Sequence, residues 1–373
     1  MLTWIEVSQK AIKHNLQQFR KLIGPDCLLM PVIKANAYGH GFFDVAKICD
    51  KATEVDKICV VNDDEAVSLV ELGIKKPIVI LTFYETDNPK KGLILAKKGV
   101  IFPLFTLKQA IFLNKIGERA SKKIKVHIKV DTGASRVGLL PEEFIPFLKK
   151  IKKFSNLKID GLFSHFAASE EDRVFTEYQM KRFETMVGEA EQQGFKFPLK
   201  HFACSAASVL YAKSHLNAIR LGLSLYGLYP DELSKKKIKL QPALSWHTKI
   251  IQVRTVPAWS KIGYGGSYTT KKTTKLATLP IGYWDGYDRN LSNNAFVLIN
   301  GIRCPIRGRI CMNICMADVS AVKNVKVGDK ATLIGRQGKK EITADELAKW
   351  AGTINYEIVD RINPLLIRKP INK

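Results

Sequence analysis

The amino-acid sequence predicts an α/β fold: a TIM-type (β/α)8 barrel over residues 10–236, then a second, mainly β domain over 237–373. Eight short apolar, β-branched runs alternate with stretches of helical spacing between Cys27 and Tyr229, which is the pattern of a closed parallel barrel. After Pro230 the chain changes to short alternating runs broken by Gly and Asn, which reads as β structure. The G-x-G-x-x-G turn that usually announces a doubly wound open sheet is missing.

Taken in order, residues 1–9 alternate and are expected as a strand added to the second domain. Barrel strands are predicted at 28–33, 58–61, 77–81, 100–105, 124–130, 159–163, 200–203 and 218–221. Helical spacing occupies 64–72, 107–116, 142–151, 175–193 and 205–213 between them. The lysine-rich 235–239 is expected as a charged linker. In the second domain, 295–299, 306–310 and 331–334 read as strands, and Thr343 caps a helix over Ala344–Ala351.

Composition excludes several classes. The 373 residues are 46% hydrophobic, enough for a large core. No apolar run approaches the ~18 residues that cross a bilayer, and the first residues have neither a basic nor an apolar targeting region, so a cytoplasmic protein is expected. Seven scattered cysteines argue for reduced thiols, and the Cys311/Cys315 pair lacks the companions of a zinc site, so no metal is expected. The net charge of +24 is spread over many lysine pairs without a reading motif, which predicts a solvated surface and no specific nucleic-acid partner.

Polar residues fall where barrel strands end, which is where such barrels do their work. Lys34 follows the first predicted strand, Asp131 and Arg136 the fifth, His165 the sixth and Ser205 the seventh, while Arg220 and Gly222 close the eighth. A lysine on a rigid, apolar strand end is placed for Schiff-base chemistry, although alone it reads equally well as a solvated surface cation. Ser205 opening a helix, with the backbone amides of Gly222 and Leu223, forms the usual barrel phosphate site. A lysine opposite a phosphate cradle points to a phosphorylated aldehyde, of which pyridoxal 5'-phosphate is the common one. Ser205 alone would read as an N-cap, and His165 alone as a satisfied core histidine.

Eight motifs then carry a resemblance. VIKANAYGHG (32–41), KVDTGASRVG (129–138), FSHFA (163–167), RLGLSLYG (220–227), IGYGGSY (262–268), GYWDGYDR (282–289), GRICMN (308–313) and GTINYEIV (352–359) resemble, in order, those of the alanine racemase family of pyridoxal-phosphate enzymes. The resemblance implies interconversion of L- and D-alanine for peptidoglycan by two bases, Lys34 and Tyr264, with the tyrosine supplied by the second subunit of a homodimer. It implies that Lys34 also binds the cofactor. Tyr38, Ser205, Gly222, Leu223 and Tyr356 would contact its phosphate, Arg136 its phenolic oxygen and the substrate carboxylate, and Arg220 its ring nitrogen. His165 would stand between Tyr264 and Arg220, and the Met312 backbone N–H would bind substrate carboxylate. Lys129 matches a position carbamylated in many family members, where the resulting anion would pair with Arg136. Asn313 departs from the family's usual aspartate, and the segment from Asp360 onward departs from its usual tail.

Arginine at the ring nitrogen hydrogen-bonds without giving up a proton, which weakens the cofactor as an electron sink and favours racemisation over transamination. Arg220 also speaks against a decarboxylase of similar plan, and Tyr264, Met312 and Tyr356 speak against a noncatalytic cofactor-binding barrel. A broad-specificity or serine-preferring racemase is the alternative, since the sequence does not fix pocket dimensions.

Overall fold

A computed structural model describes residues 1–372 as two compact units. The first comprises Ile12–Lys34 and Phe42–Gln241. Its eight parallel strands are β1 (Leu28–Pro31), β2 (Ile58–Val60), β3 (Ile78–Ile80), β4 (Phe102–Leu104), β5 (Ile124–Lys129), β6 (Leu157–Phe163), β7 (Leu199–His201) and β8 (Ala218–Leu221). Six of them form one sheet in the order β1-β8-β7-β6-β5-β4, and β2 pairs with β3. Parallel bridges Val32–Cys59 and Val79–Ile101 join the two pieces, so the ring closes as a barrel. Most strand positions are buried, since helices cover the outside and side chains fill the inside, and that is why these runs are apolar without alternation.

The connecting helices start where the chain supplies acceptors. Asn62 accepts from Glu65 N, Asp172 accepts from Phe175 N, and Thr106 with Gln109 makes a capping box. One expectation changes: the lysine-rich stretch near 235 is not a linker but the helix Glu232–Lys237. Asp231 accepts from Ser234 N to cap it, and its lysines lie in the last turn, where the helix dipole favours cations.

The second unit comprises Met1–Ala11, Ala35–Gly41 and the chain from Pro242 onward. Its main sheet runs Ile302–Pro305, Phe296–Ile299, Lys330–Gln337, Leu244–Lys249, Thr3–Ser8, Arg368–Ile371. A smaller sheet joins Gln252–Val256, Thr274–Leu279 and Cys315–Asp318. Trp246 and Tyr287, both fully buried, meet edge-on at 5.9 Å in its core. The strand expected at 306–310 lies instead at Ile302–Pro305. Asn300 and Gly301, at φ 49° and 75°, form a two-residue turn that sends the chain straight back against Phe296–Ile299. The helix Ala344–Ala351 is present, with Thr343 and Glu346 in a capping box. Among the described residues no helix is long and apolar enough to cross a membrane.

Candidate active site

Lys34 is half-buried and follows β1 by three residues. The four residues after it do something the sequence does not announce: Ala35, Asn36, Ala37 and Tyr38 all have φ between 50° and 53°, a single left-handed turn. Each such residue costs roughly 1–2 kcal/mol, less for Asn, and left-handed residues ordinarily occur singly.

In the barrel unit, Arg220 on β8 is 4% exposed and its guanidinium organises the strand ends. Nη1 donates to His201 Nδ1 at 2.6 Å and to the His201 carbonyl at 3.1 Å. Nη2 donates to the carbonyls of Ser164 and Phe202 at 2.7 and 2.9 Å, and to His165 Nδ1 at 3.2 Å. Arginine only donates, so both histidine Nδ1 atoms are acceptors and both rings carry their proton on Nε2. The assignment propagates: His201 Nε2 donates to His127 Nδ1 at 2.9 Å, which leaves the His127 proton on Nε2, 3.9 Å from Asp160. Burial, reinforced by Arg220, holds His165 and His201 well below the usual histidine range, and burial lowers His127 as well. All three are neutral, which the tautomer chain requires. Burial also draws the Arg220 pKa down to about 10, still a cation at neutral pH. Phe163 stacks on His201 at 4.7 Å and presents its ring to Arg220 and to Lys129 Nζ. All five of these Arg220 hydrogen bonds leave from Nη1 and Nη2, and none from Nε.

Lys129 ends β5 and is 5% exposed. Burial, with Arg220 and Arg136 nearby, lowers its amine to about 7. It lines a small recess with Asp131, Arg136, Ser164 and His165. Arg136 itself is exposed, and its backbone is fixed by Asp131, whose carboxylate accepts from the amides of Gly133, Ser135 and Arg136 at 2.8, 3.1 and 2.8 Å. Burial works against the Asp131 charge, but these donors hold its pKa below the usual value. Gln179, fully buried, braces the loop after β6 by bonding Thr132 Oγ1, the His165 carbonyl and the Ala167 amide.

Ser205, 4% exposed, opens the helix Ser205–Leu210, and its Oγ accepts from the amides of Gly222 and Ser224 at 3.0 and 3.3 Å. Leu223 opens the short 3₁₀ helix Leu223–Tyr226. The Ser205 hydroxyl and the two amides it accepts from thus meet where the short helix opens, a donor set suited to an anion.

The remaining candidates belong to the β-rich unit. Tyr38 is buried, Tyr356 is half-buried, and their rings lie 6.3 Å apart. Tyr264 and Met312 are the contrast, at 73% and 55% exposed. A Cβ on Gly265 would sit 2.7 Å from Arg309 Nη1, so that arginine lies against the Tyr264 loop.

With this geometry in view, the likeness to known proteins is decisive. Residues 7–230 match the N-terminal domain of alanine racemase and 243–369 its C-terminal domain. The chain belongs to the alanine racemase family. The family's alanine racemase from Methanococcus maripaludis is 41% identical over 95% of both chains. That from Halothermothrix orenii is 39% identical over 100% of this chain and 97% of its own. The crystal structure of the Bacillus anthracis alanine racemase with bound L-Ala-P superposes with a TM-score of 0.92 at 34% identity, covering 100% and 96%. Alanine racemases depend on pyridoxal phosphate.

The residues present fit that cofactor. An uncommitted Nε donor on a buried, immobilised arginine suits a pyridine nitrogen, and the Ser205 corner suits a phosphate. Sequence reasoning did not single out His127, His201 or Gln179. The signal was available: histidines at buried positions of two barrel strands, with Arg220 on a third.

Proposed function

We propose that the chain is an alanine racemase that acts as a homodimer, with Lys34 and Tyr264 as bases on opposite faces of the substrate Cα. Pyridoxal phosphate, when bound, supplies the electron sink that makes the Cα proton acidic. Lys34 binds it covalently and moves a proton at Nζ, while Tyr264 of a second copy moves one at its phenolic oxygen. Tyr38, Ser205, Gly222, Leu223 and Tyr356 hold the phosphate, and Arg136 with the Met312 N–H orients the substrate carboxylate.

One observation carries the reading: the Arg220 hydrogen bond to His165 Nδ1. It fixes the His165 proton on Nε2, where it can be donated to a phenolate. A phenol of ordinary pKa ~10 is a poor base at neutral pH, so a donor of this kind is what Tyr264 needs. Arg220 would give the ring nitrogen a hydrogen bond and no proton, which would moderate the electron sink the cofactor supplies. Exposed Tyr264 and Met312 support a second copy as their cover. We place the enzyme in the cytoplasm, where D-alanine would supply peptidoglycan precursors.

Burial and the neighbouring arginines, by lowering the Lys129 amine to about 7, favour the neutral form that attacks carbon dioxide. Its carbamate would be an anion beside Arg136.

L-alanine in deuterated water should lose optical activity and gain deuterium at Cα, with no carbon dioxide released. Mixing Lys34→Ala with Tyr264→Phe protein is the sharper test of shared sites. Each variant alone should be strongly impaired, and the mixed dimer should regain one site built from the intact Lys34 of one copy and the intact Tyr264 of the other. No recovery after subunit exchange would refute the shared site.

A further inference from the structure

The backbone leaving Lys34 adopts a conformation that no local signal favours. The left-handed run ends in three hydrogen bonds of its own: Gly39 N to Ala35 O at 3.2 Å, His40 N to Ala37 O at 3.0 Å, and Gly41 N to Asn36 O at 2.9 Å. Strained backbone of this kind persists only where its surroundings over-determine it. Here they come from the far end of the sequence. Gly39 is pressed so closely on Val359 that a Cβ would sit 1.9 Å from the Val359 carbonyl oxygen. A Cβ on Gly41 would meet the Arg368 side chain at 3.1 Å.

Arg368 is the residue that joins these pieces. Its Nε donates to the Gly39 carbonyl at 2.7 Å. Nη1 donates to the carbonyls of Asn363, Pro364 and Leu366 at 3.2, 3.2 and 2.8 Å, and Nη2 to that of Ile362 at 3.1 Å. All five acceptors are backbone oxygens. The planar fork therefore works as a clamp between the end of the left-handed run and the 362–366 loop. The strand that begins with Arg368 is anchored in turn, with Arg368 opposite Ile5 and Lys369 opposite Glu6 in the main sheet.

We propose that Arg368 is a positioning residue for the cofactor site: by clamping Gly39 it holds the left-handed run that begins after Lys34 and carries Tyr38. The proposal rests on the reading that Lys34 and Tyr38 bind pyridoxal phosphate. Arg368 touches neither cofactor nor substrate in it. Its effect is to keep the backbone of the cofactor lysine and of one phosphate ligand in a single conformation, so that binding need not order them.

Arg368→Met keeps an unbranched apolar stem and removes all five donors. In cofactor-free protein, amide exchange in a peptide spanning 35–41 should quicken at least tenfold, while peptides from β5 to β7 and from Leu244–Lys249 keep wild-type protection. Pyridoxal phosphate titrated into the same protein, followed by its absorbance, should bind at least tenfold more weakly. At saturating cofactor the KM for alanine should stay near wild type. Arg368→Lys retains a single cationic ammonium in place of the planar fork and should recover part of both effects. Wild-type exchange at 35–41 with unchanged cofactor affinity would overturn the proposal. So would faster exchange throughout the β-rich unit, which would make Arg368 a general stabiliser. A wild-type protein that takes up no pyridoxal phosphate would overturn the cofactor reading instead, leaving the clamp to be judged by exchange alone.

Discussion

The Arg220 cluster of the barrel and the Tyr264 and Met312 loops of the β-rich unit are prepared in opposite ways. In the barrel, Arg220, His201 and Ser205 are buried and bonded across adjoining strand ends, Arg220 to His201 and Ser205 to Gly222. In the β-rich unit, Tyr264 and Met312 stand in solvent. The first arrangement fixes charge and tautomer in advance, as electrostatic stabilisation requires. The second fixes little by itself. On the proposed reading, the hydrogen bonds that would set cofactor electronics lie within the barrel cluster, whereas the proposed second base would depend on a second copy.

The largest test of this contrast is Tyr264→Phe. Racemisation should fall by roughly 10²–10⁴-fold while the absorbance of bound cofactor stays at wild-type intensity. Undiminished turnover would dissolve the distinction, because the exposed unit would then contribute no base.

A second test addresses the neutrality of the barrel histidines. His127, His165 and His201 are held below the usual value, and His40 and His247 in the β-rich unit are lowered to about 4. An unfolded chain takes up protons on these rings below its ordinary pKa of about 6.5, and the folded chain does not, so their contribution to stability is present above that pH and is lost as pH falls below it. Each ring that stays neutral contributes about 1.4 kcal/mol per pH unit to that loss. Thermal midpoints should therefore drop steeply from pH 6.5 to 5. A flat profile would show that the cluster is not held neutral.

A smaller effect is expected from Gly161→Ala. The new Cβ would meet His127 Cδ2 and the Leu199 carbonyl at 2.8 Å, pushing His127 off His201 at a cost of about 1–3 kcal/mol. Denaturant unfolding measures the loss, and the absorbance of bound cofactor reports whether Arg220 has moved with it. The mildest intervention is removal of carbon dioxide. Protein prepared in degassed buffer should show reduced activity, and labelled bicarbonate should restore it and give a carbamate carbon signal. That signal should vanish in Lys129→Met. Its absence from the wild type would leave Lys129 as an amine.

Much of the barrel could be read directly because parallel strands covered on both faces leave unbroken apolar runs, and all eight appear where such runs lie. That Ser205 and Gly222 meet was legible for a similar local reason, since both follow strand ends. What could not be read depended on distant parts of the chain. Nothing in Ala-Asn-Ala-Tyr signals four left-handed residues, whose stabilising contacts come from Val359 and Arg368. The His127–His201 pair joins two strands 74 positions apart. Two errors were local and avoidable. Asn300-Gly301 is a strong hairpin signal that places the returning strand at Ile302–Pro305, and Asp231 three residues before Ser234 is a helix cap.

The strand Thr3–Ser8 lies between Leu244–Lys249 and Arg368–Ile371. It leaves the ribosome well ahead of both neighbours, so during vectorial synthesis its two edges stay bare while the whole (β/α)8 ring is being made. An unpaired apolar edge is a template for pairing with another nascent chain. Production yield should accordingly respond to translation speed and to chaperones that shield the emerging N-terminus, even where the finished enzyme is robust.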